Sequence, residues 1–213
     1  MIIPAILETN AKQFQAKLKE VSALKGIKTI QVDFADGEFV ATKTASVEEI
    51  KLPKSKLEFE AHLMVKNPQD FSVYKKVGFD KIILHYESFE SETDLETALE
   101  SIRKLKMIPA LAISPQTAVS VLRYYTDNIT HFTLLSVTPG KQGQKMLPDT
   151  IERLMELRDH STGATIEVDG GVNAENIAKL IDAGASDCVV GSALVSGDIK
   201  ENYQELLEAI NNG

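Results

Sequence analysis

Eight short runs of β-favouring, apolar residues recur along this chain, and each is followed by a stretch of helical character. The runs are Ile2–Leu7, Lys28–Phe34, Leu57–Met64, Lys81–His85, Ile108–Ile113, His131–Ser136, Thr165–Asp169 and Asp187–Val190. A helix between two strands returns the chain to the same end of the sheet, so successive strands run parallel. Eight such units in 213 residues is the count of a (β/α)8 barrel near its lower size limit. An open doubly wound sheet shares the alternation. Its G-x-G-x-x-G fingerprint is absent, however, and Glu8-Thr-Asn follows the first strand. No linker, charge block or low-complexity segment interrupts the pattern. The expectation is an α/β chain folded as a single (β/α)8 barrel over residues 1–213.

The helices carry signals of their own. Phe14, Leu18 and Val21 share one face of the first, and Ile199, Tyr203, Leu206, Leu207 and Ile210 form a stripe on the last. Asn67-Pro68 and Ser114-Pro115 read as an N-cap followed by a first-turn proline. Thr93-Asp-Leu-Glu96 has capping-box spacing, and Asn173 reads as the cap of the helix after the seventh strand. Ser46–Leu52 has room for only a short helix.

Charge and cysteine content narrow the partners. The formal net charge of −8 weighs against nucleic acid or an anionic membrane surface. No run approaches the roughly 20 apolar residues of a membrane span. Met1-Ile-Ile-Pro-Ala-Ile-Leu7 lacks a basic leader and reads as a strand rather than a signal peptide. The single cysteine, Cys188, excludes an internal disulfide and suits a reducing, cytoplasmic setting. It reads as a small buried hydrophobe.

Side chains alternate along a strand, so position parity decides which residues share a face. With apolar faces packed outward on helices, Gln31, Asp33 and Ala35 point inward on the second strand. Glu58, Glu60, His62 and Met64 do so on the third, and Glu167 and Asp169 on the seventh. Asp33, Glu60, His62, Glu167 and Asp169 are expected to converge near the upper rim, where this fold handles ligands. An inward carboxylate is costly unless paired, protonated or bound to metal. Two carboxylates and an imidazole suit a divalent cation such as Zn, Mn or Fe. They also suit acid and base roles on opposite faces of a substrate carbon. A satisfied polar network closing the barrel top is the alternative. His85 reads as a rim hydrogen bond in preference to a site residue, and His131 and His160 as structural or exposed. Met64 reads as core or as a polarizable wall of the site.

Glycine turns follow each of the last three strands: Pro139-Gly140-Lys-Gln-Gly143, Gly170-Gly171 and Gly191-Ser192. In this fold a phosphate often rests on the loops after strands seven and eight. The first of these turns also has the composition of a mobile lid.

At these residues the chain resembles the ribulose-phosphate 3-epimerase family. The matching stretches are Val32-Asp33-Phe-Ala-Asp36-Gly37-Glu-Phe39-Val40, Ala61-His62-Leu-Met-Val65, Ser136-Val-Thr-Pro-Gly140 and Glu167-Val-Asp-Gly-Gly-Val172. The resemblance implies a ribulose-phosphate-binding barrel that interconverts ribulose 5-phosphate and xylulose 5-phosphate. It implies Asp33 and Asp169 as the acid/base pair, and His62 as a metal ligand beside them. It places phosphate on loops containing Gly143, Gly170, Gly171, Gly191 and Ser192. The chain also departs from the family's pattern. Gln31-Val32-Asp33 stands where the family has His-x-Asp, Ala5 where it has serine, and Ala35 and Leu135 where it has methionines. Thr138 replaces an asparagine, and Lys141-Gln-Gly143 is poorer in glycine than the family's lid.

The leading expectation is a metal-assisted ketose-phosphate epimerase whose enediolate is stabilised by a divalent cation. Gln31 can add only a neutral amide to Asp33, His62 and Asp169. The cation site is therefore expected to be weak or absent, favouring Mg or Mn over Zn or Fe. Two rivals stand beside it: an epimerase acting on a different ketose phosphate, and a non-catalytic sugar-phosphate-binding homologue. Lys at the position of His62 would have pointed to decarboxylase relatives. The expected partner is a small phosphorylated ketose, with neither nucleic acid nor membrane, and the reading admits a homo-oligomer.

Overall fold

The computed structural model describes residues 1–212. Eight parallel strands close into a barrel in chain order: β1 (Ile2–Ile6), β2 (Thr29–Ala35), β3 (Glu58–Met64), β4 (Lys81–His85), β5 (Ile108–Ile113), β6 (His131–Leu135), β7 (Thr165–Asp169) and β8 (Asp187–Val190). The ring shuts where β1 pairs with β8, Ile3 lying beside Val189. The open doubly wound alternative is thereby excluded.

The helices are α1 (Ala11–Ser22), α2 (Ser72–Val77), α3 (Glu92–Lys104), α4 (Thr150–His160), α5 (Ile177–Asp182), α6 (Ser192–Val195) and α7 (Ile199–Asn212). Short 3-10 segments occupy Val47–Glu49, Tyr86–Ser88 and Val119–Tyr125. Among the described residues no helix is long and apolar enough to cross a membrane.

Strand parity separates two buried layers. Ile30, Val32 and Phe34 of β2, with Ala61 and Leu63 of β3, face outward into the main core against the helices. The inward faces carry a smaller apolar set, Ile83, Ala110, Ala112 and Leu135, with Ile3, Ala5 and Val189 across the closing seam. Buried polar side chains, among them Gln31, Asp33, Glu60, His62, Thr133 and Glu167, share those faces.

Several helix starts differ from the sequence reading. Asn67 takes a left-handed φ of 46° and its amide donates to Ser88 O at 2.8 Å, so α2 begins only at Ser72. Ser114-Pro115 opens only a turn, closed by the Thr117 amide on Ser114 O, and the Ser114 amide is held by Glu87 Oε1 at 2.8 Å; the 3-10 segment begins later, at Val119. The cap of α3 is Ser91, two residues before Thr93, with its hydroxyl accepting from the Asp94 amide. Asn173 instead bonds the Glu175 amide, and α5 starts at Ile177.

Candidate active site

Asp33 and His62 are register partners on adjacent strands, and Asp169 is the last residue of β7. All three therefore reach the C-terminal mouth of the barrel. Each offers one ligand atom, and these atoms lie within 4.8 Å of one another, forming a group able to hold a metal ion.

Gln31 lies beneath them and is wholly buried. Its Nε2 donates to Asp33 Oδ1 at 2.8 Å and to Asp169 Oδ2 at 2.9 Å, and lies 3.3 Å from His62 Nδ1. His62 Nδ1 is itself 3.0 Å from Asp33 Oδ1 and 3.4 Å from Asp169 Oδ2. The amide nitrogen thus stands at hydrogen-bonding range of the atoms a cation would use. Gln31 Oε1, the only atom of the amide able to ligate, is buried with no partner among the described residues. An orphaned buried carbonyl costs about 1–3 kcal/mol, less than two charge-assisted bonds supply. In this arrangement the four residues do not fit a four-ligand cation site, because the fourth presents N–H donors where a lone pair is needed.

A second imidazole supports the first. His62 Nε2 lies 2.8 Å from His85 Nε2, with the rings stacked at 5.0 Å between centroids. Two ring nitrogens this close share one proton. Burial pulls the His62 imidazole down, but the hydrogen bond and charge of Asp33, with Asp169 behind, outweigh it and hold it above its ordinary value. Burial drives His85 down to about 4. The shared proton therefore rests on His62 and His85 accepts it. The other nitrogen of His85 faces Glu87 Oε2 at 3.4 Å, and Glu87 Oε1 also accepts from Thr117 Oγ1. Burial, partly offset by His62 and joined by the charge of Asp33, pushes the Asp169 carboxyl up to about 6.

The glycine turns close one wall of the same cleft. Asp33, His62, Met64, Asp169, Gly140, Gly143, Gly170, Gly171, Gly191 and Ser192 all line it, together with Ala5 and Leu135. Gln31 and His85 do not; they form the layer below. Ala35 lies outside the lining as well, in a neighbouring surface groove beside Thr44.

Three of the glycines, Gly140, Gly170 and Gly171, are fixed by packing. A Cβ on Gly171 (φ +64°) would run into the Met146 backbone nitrogen, and one on Gly140 (φ +95°) would come within 2.6 Å of Val40 Cβ. Replacing Gly171 by a bulky residue therefore disturbs the fold, contrary to what its glycine-rich turn alone suggests. Gly191 has no such neighbour, and its nearest would be the Gln142 amide at 3.6 Å.

Glu60 and Glu167 do not join Asp33 at the rim. They share its inward parity but lie two residues further down their strands than His62 and Asp169, roughly 7 Å at strand rise. There Lys81 Nζ stands 2.8 Å from Glu60 Oε2 and 2.5 Å from Glu167 Oε1, and Thr133 Oγ1 donates to Glu167 Oε2 at 2.9 Å. Burial and the neighbouring Glu167 push Glu60 up to about 8, despite Lys81. His131 bonds Thr130 at the opposite end, and His160 contacts Arg123 on the surface.

Sequence reasoning missed the His85–Glu87 support and the role of Asp36. Parity carried the signal for the first, since His85 lies two residues beyond inward Ile83. Asp36 accepts from the amides of Glu38, Phe39 and Lys66. Its carboxyl is held below its usual value because those bonds outweigh burial. The loop so folded sets Phe39 against His85 and Val40 under Gly140.

The chain has relatives in sequence along nearly its whole length. Residues 1–195 match the model of the ribulose-phosphate 3 epimerase family. A ribulose-phosphate 3-epimerase of Aquifex aeolicus is 31% identical over 97% of this chain and 95% of its own. The chloroplastic ribulose-5-phosphate-3-epimerase of Arabidopsis thaliana is 30% identical over 99% of this chain and 75% of its own. Among solved structures, 3-hexulose-6-phosphate synthase from Salmonella typhimurium superposes with a TM-score of 0.73 at 15% identity, covering 99% of this chain and 98% of the other. That likeness speaks to the barrel fold alone. With the family model spanning residues 1–195, the chain belongs to the ribulose-phosphate 3-epimerase family.

Proposed function

We propose that this isomerase epimerises a ketose phosphate by two-carboxylate proton transfer, with ribulose 5-phosphate and xylulose 5-phosphate as the pair. The observation that supports it is the placement of Asp33 and Asp169. Their carboxylates converge on one buried amide nitrogen, at 2.8 and 2.9 Å, at the floor of a cleft walled by glycine turns. Phosphate would rest against Gly170, Gly171, Gly191 and Ser192, with Gly143 in the covering loop. That end fixes the sugar so that its third carbon lies between the two carboxylates.

One aspartate removes the proton beside the ketone. The pair of electrons moves into an enediolate, and the other aspartate returns a proton on the opposite face. His62, whose imidazole Asp33 and Asp169 hold above its ordinary value, favours a proton at the floor where negative charge develops. Met64 would form an apolar wall there. Asp33→Asn and Asp169→Asn should each abolish exchange of the substrate's C3 proton with solvent. Exchange at the wild-type rate in either variant would remove the acid/base assignment.

A different ketose phosphate is favoured by one feature. Ala5 and Leu135 line the cleft where the family has serine and methionine, so its shape differs beside the reacting carbon. Assaying pentulose and hexulose phosphates together separates the two substrates. Absence of exchange with any of them would leave a sugar-phosphate binder.

A further inference from the structure

From the position of Gln31 Nε2 we infer that the amide of Gln31 stands in for the cation, so that this chain holds its two aspartates without a metal. The inference rests on the family reading only for the expectation that a cation belongs at this point. Its tests use no substrate.

Geometry identifies the amide's job. Two carboxylates converging on one point repel each other unless something positive or donating lies between them. Gln31 Nε2 lies there, with one N–H for Asp33 Oδ1 and one for Asp169 Oδ2 at 2.8 and 2.9 Å. Both amide protons are consumed, one by each acid.

The opposite orientation of the amide is ruled out by its neighbours. Turned over, Gln31 Oε1 would face Asp33 Oδ1 and Asp169 Oδ2 and add a third acceptor to two. The one donor then left nearby, His62 Nδ1 at 3.3 Å, is already engaged by Asp33 Oδ1 at 3.0 Å, whereas a bound cation would favour the inverted amide. The structure adopts the donor-inward form and leaves Oε1 buried without a partner among the described residues. The orphaned oxygen is thus accounted for by what the nitrogen does.

Register fixes the amide there. Gln31 pairs with Ala5 on one side and Glu60 on the other, at the centre of the closed sheet, and is wholly buried. Wholly buried, its side chain does not reach solvent, so a cation would have to displace or invert the amide in the interior.

Metal binding measured directly tests this. Purified wild-type protein, dialysed against EDTA and then titrated with Zn²⁺ or Mn²⁺ by calorimetry, should take up neither tightly. Its thermal midpoint should be the same with EDTA as without. Gln31→His exchanges the donating amide for an imidazole lone pair and should bind Zn²⁺ at least about 100-fold more tightly, with a midpoint that rises on adding Zn²⁺ and falls with EDTA. Gln31→Leu, which removes the N–H donors at similar size, should lower the midpoint. In that variant Mn²⁺ should restore it, since a cation can again hold the two acids.

One equivalent of metal retained by the wild type through EDTA, or a wild-type midpoint that falls with EDTA, would overturn the inference. Equal Zn²⁺ affinity in wild type and Gln31→His would do so too. If Gln31→His fails to fold, metal content and EDTA response of the wild type decide alone. A metal-free protein that exchanges no substrate proton would sink the proposed reaction and leave this inference standing.

Discussion

At the residue scale, the glycines of the cleft separate geometry from ligand binding. Gly171→Ala must place a Cβ against the Met146 backbone at positive φ. It should cost on the order of 1–3 kcal/mol of stability, read as a lower denaturant midpoint. Gly191→Ala has φ of −91° and meets only the Gln142 amide. Its ψ of −108° lies outside the regions an L-residue favours, so the midpoint should fall, though less than for Gly171→Ala, while KM for a ketose phosphate rises because the new methyl crowds the proposed phosphate position. An unchanged KM would show that phosphate does not touch Gly191. Cys188 is wholly buried and burial pushes its thiol up to about 12. It should resist iodoacetamide in the native protein at pH 8 and react on unfolding. Asp33, His62 and Asp169 were legible in the sequence because inward parity and strand-end position fix them together. The orientation of the Gln31 amide was not, since it depends on two carboxylates from other parts of the chain. His85 was legible as inward, but not as the partner of His62. That contact joins β3 and β4 across side chains, and spacing does not encode it.

At the element scale, the loop after β2 connects the acid–imidazole floor of the cleft to the loop that covers it. Asp36 gathers three backbone amides, and the loop then buttresses His85 with Phe39 and Gly140 with Val40. Thr42 Oγ1 adds a bond to Gly140 O at 2.5 Å. Asp36→Ala should loosen both contacts at once. The expected result is faster limited proteolysis near residues 37–44 and a fall in kcat larger than the fall in thermal stability. Equal losses would mean that Asp36 serves folding only. The strands were read from sequence to within a residue at each end, since runs such as Ile108–Ile113 are set by local β propensity and alternation. Helix starts fared worse. Asn67-Pro68 and Ser114-Pro115 carry the right residues for caps, yet the backbone there is claimed by Ser88 O and by Glu87 Oε1. Tertiary hydrogen bonds outcompeted the local signal.

At the scale of the whole molecule, the barrel interior is stratified. An acid–imidazole layer faces the cleft, and one lysine between two glutamates lies beneath it. Removing Lys81 strands two carboxylates in a dry interior, so Lys81→Met should cost about 3–5 kcal/mol. Glu60 already sits well above the usual carboxylate range at about 8. Glu60→Gln should therefore cost much less at neutral pH, and a Glu60→Gln loss as large as that of Lys81→Met would refute the pairing. Parity placed Glu60 and Glu167 on the right face and the wrong level. Alternation gives direction across a sheet but not depth along the barrel axis, which is set by stagger between strands.

The seam between β1 and β8 has a kinetic consequence. Ile3 meets Val189 only after almost the whole chain has been gathered, so the ring's last contacts carry a very large sequence separation. Such topologies fold slowly. Until β8 docks, β1 offers an unpaired edge with Ile2, Ile3, Ala5 and Ile6 along it. Such an edge invites pairing with other chains. Refolding yield should therefore fall steeply with protein concentration, while unfolding, once the ring is shut, proceeds as a concentration-independent first-order process.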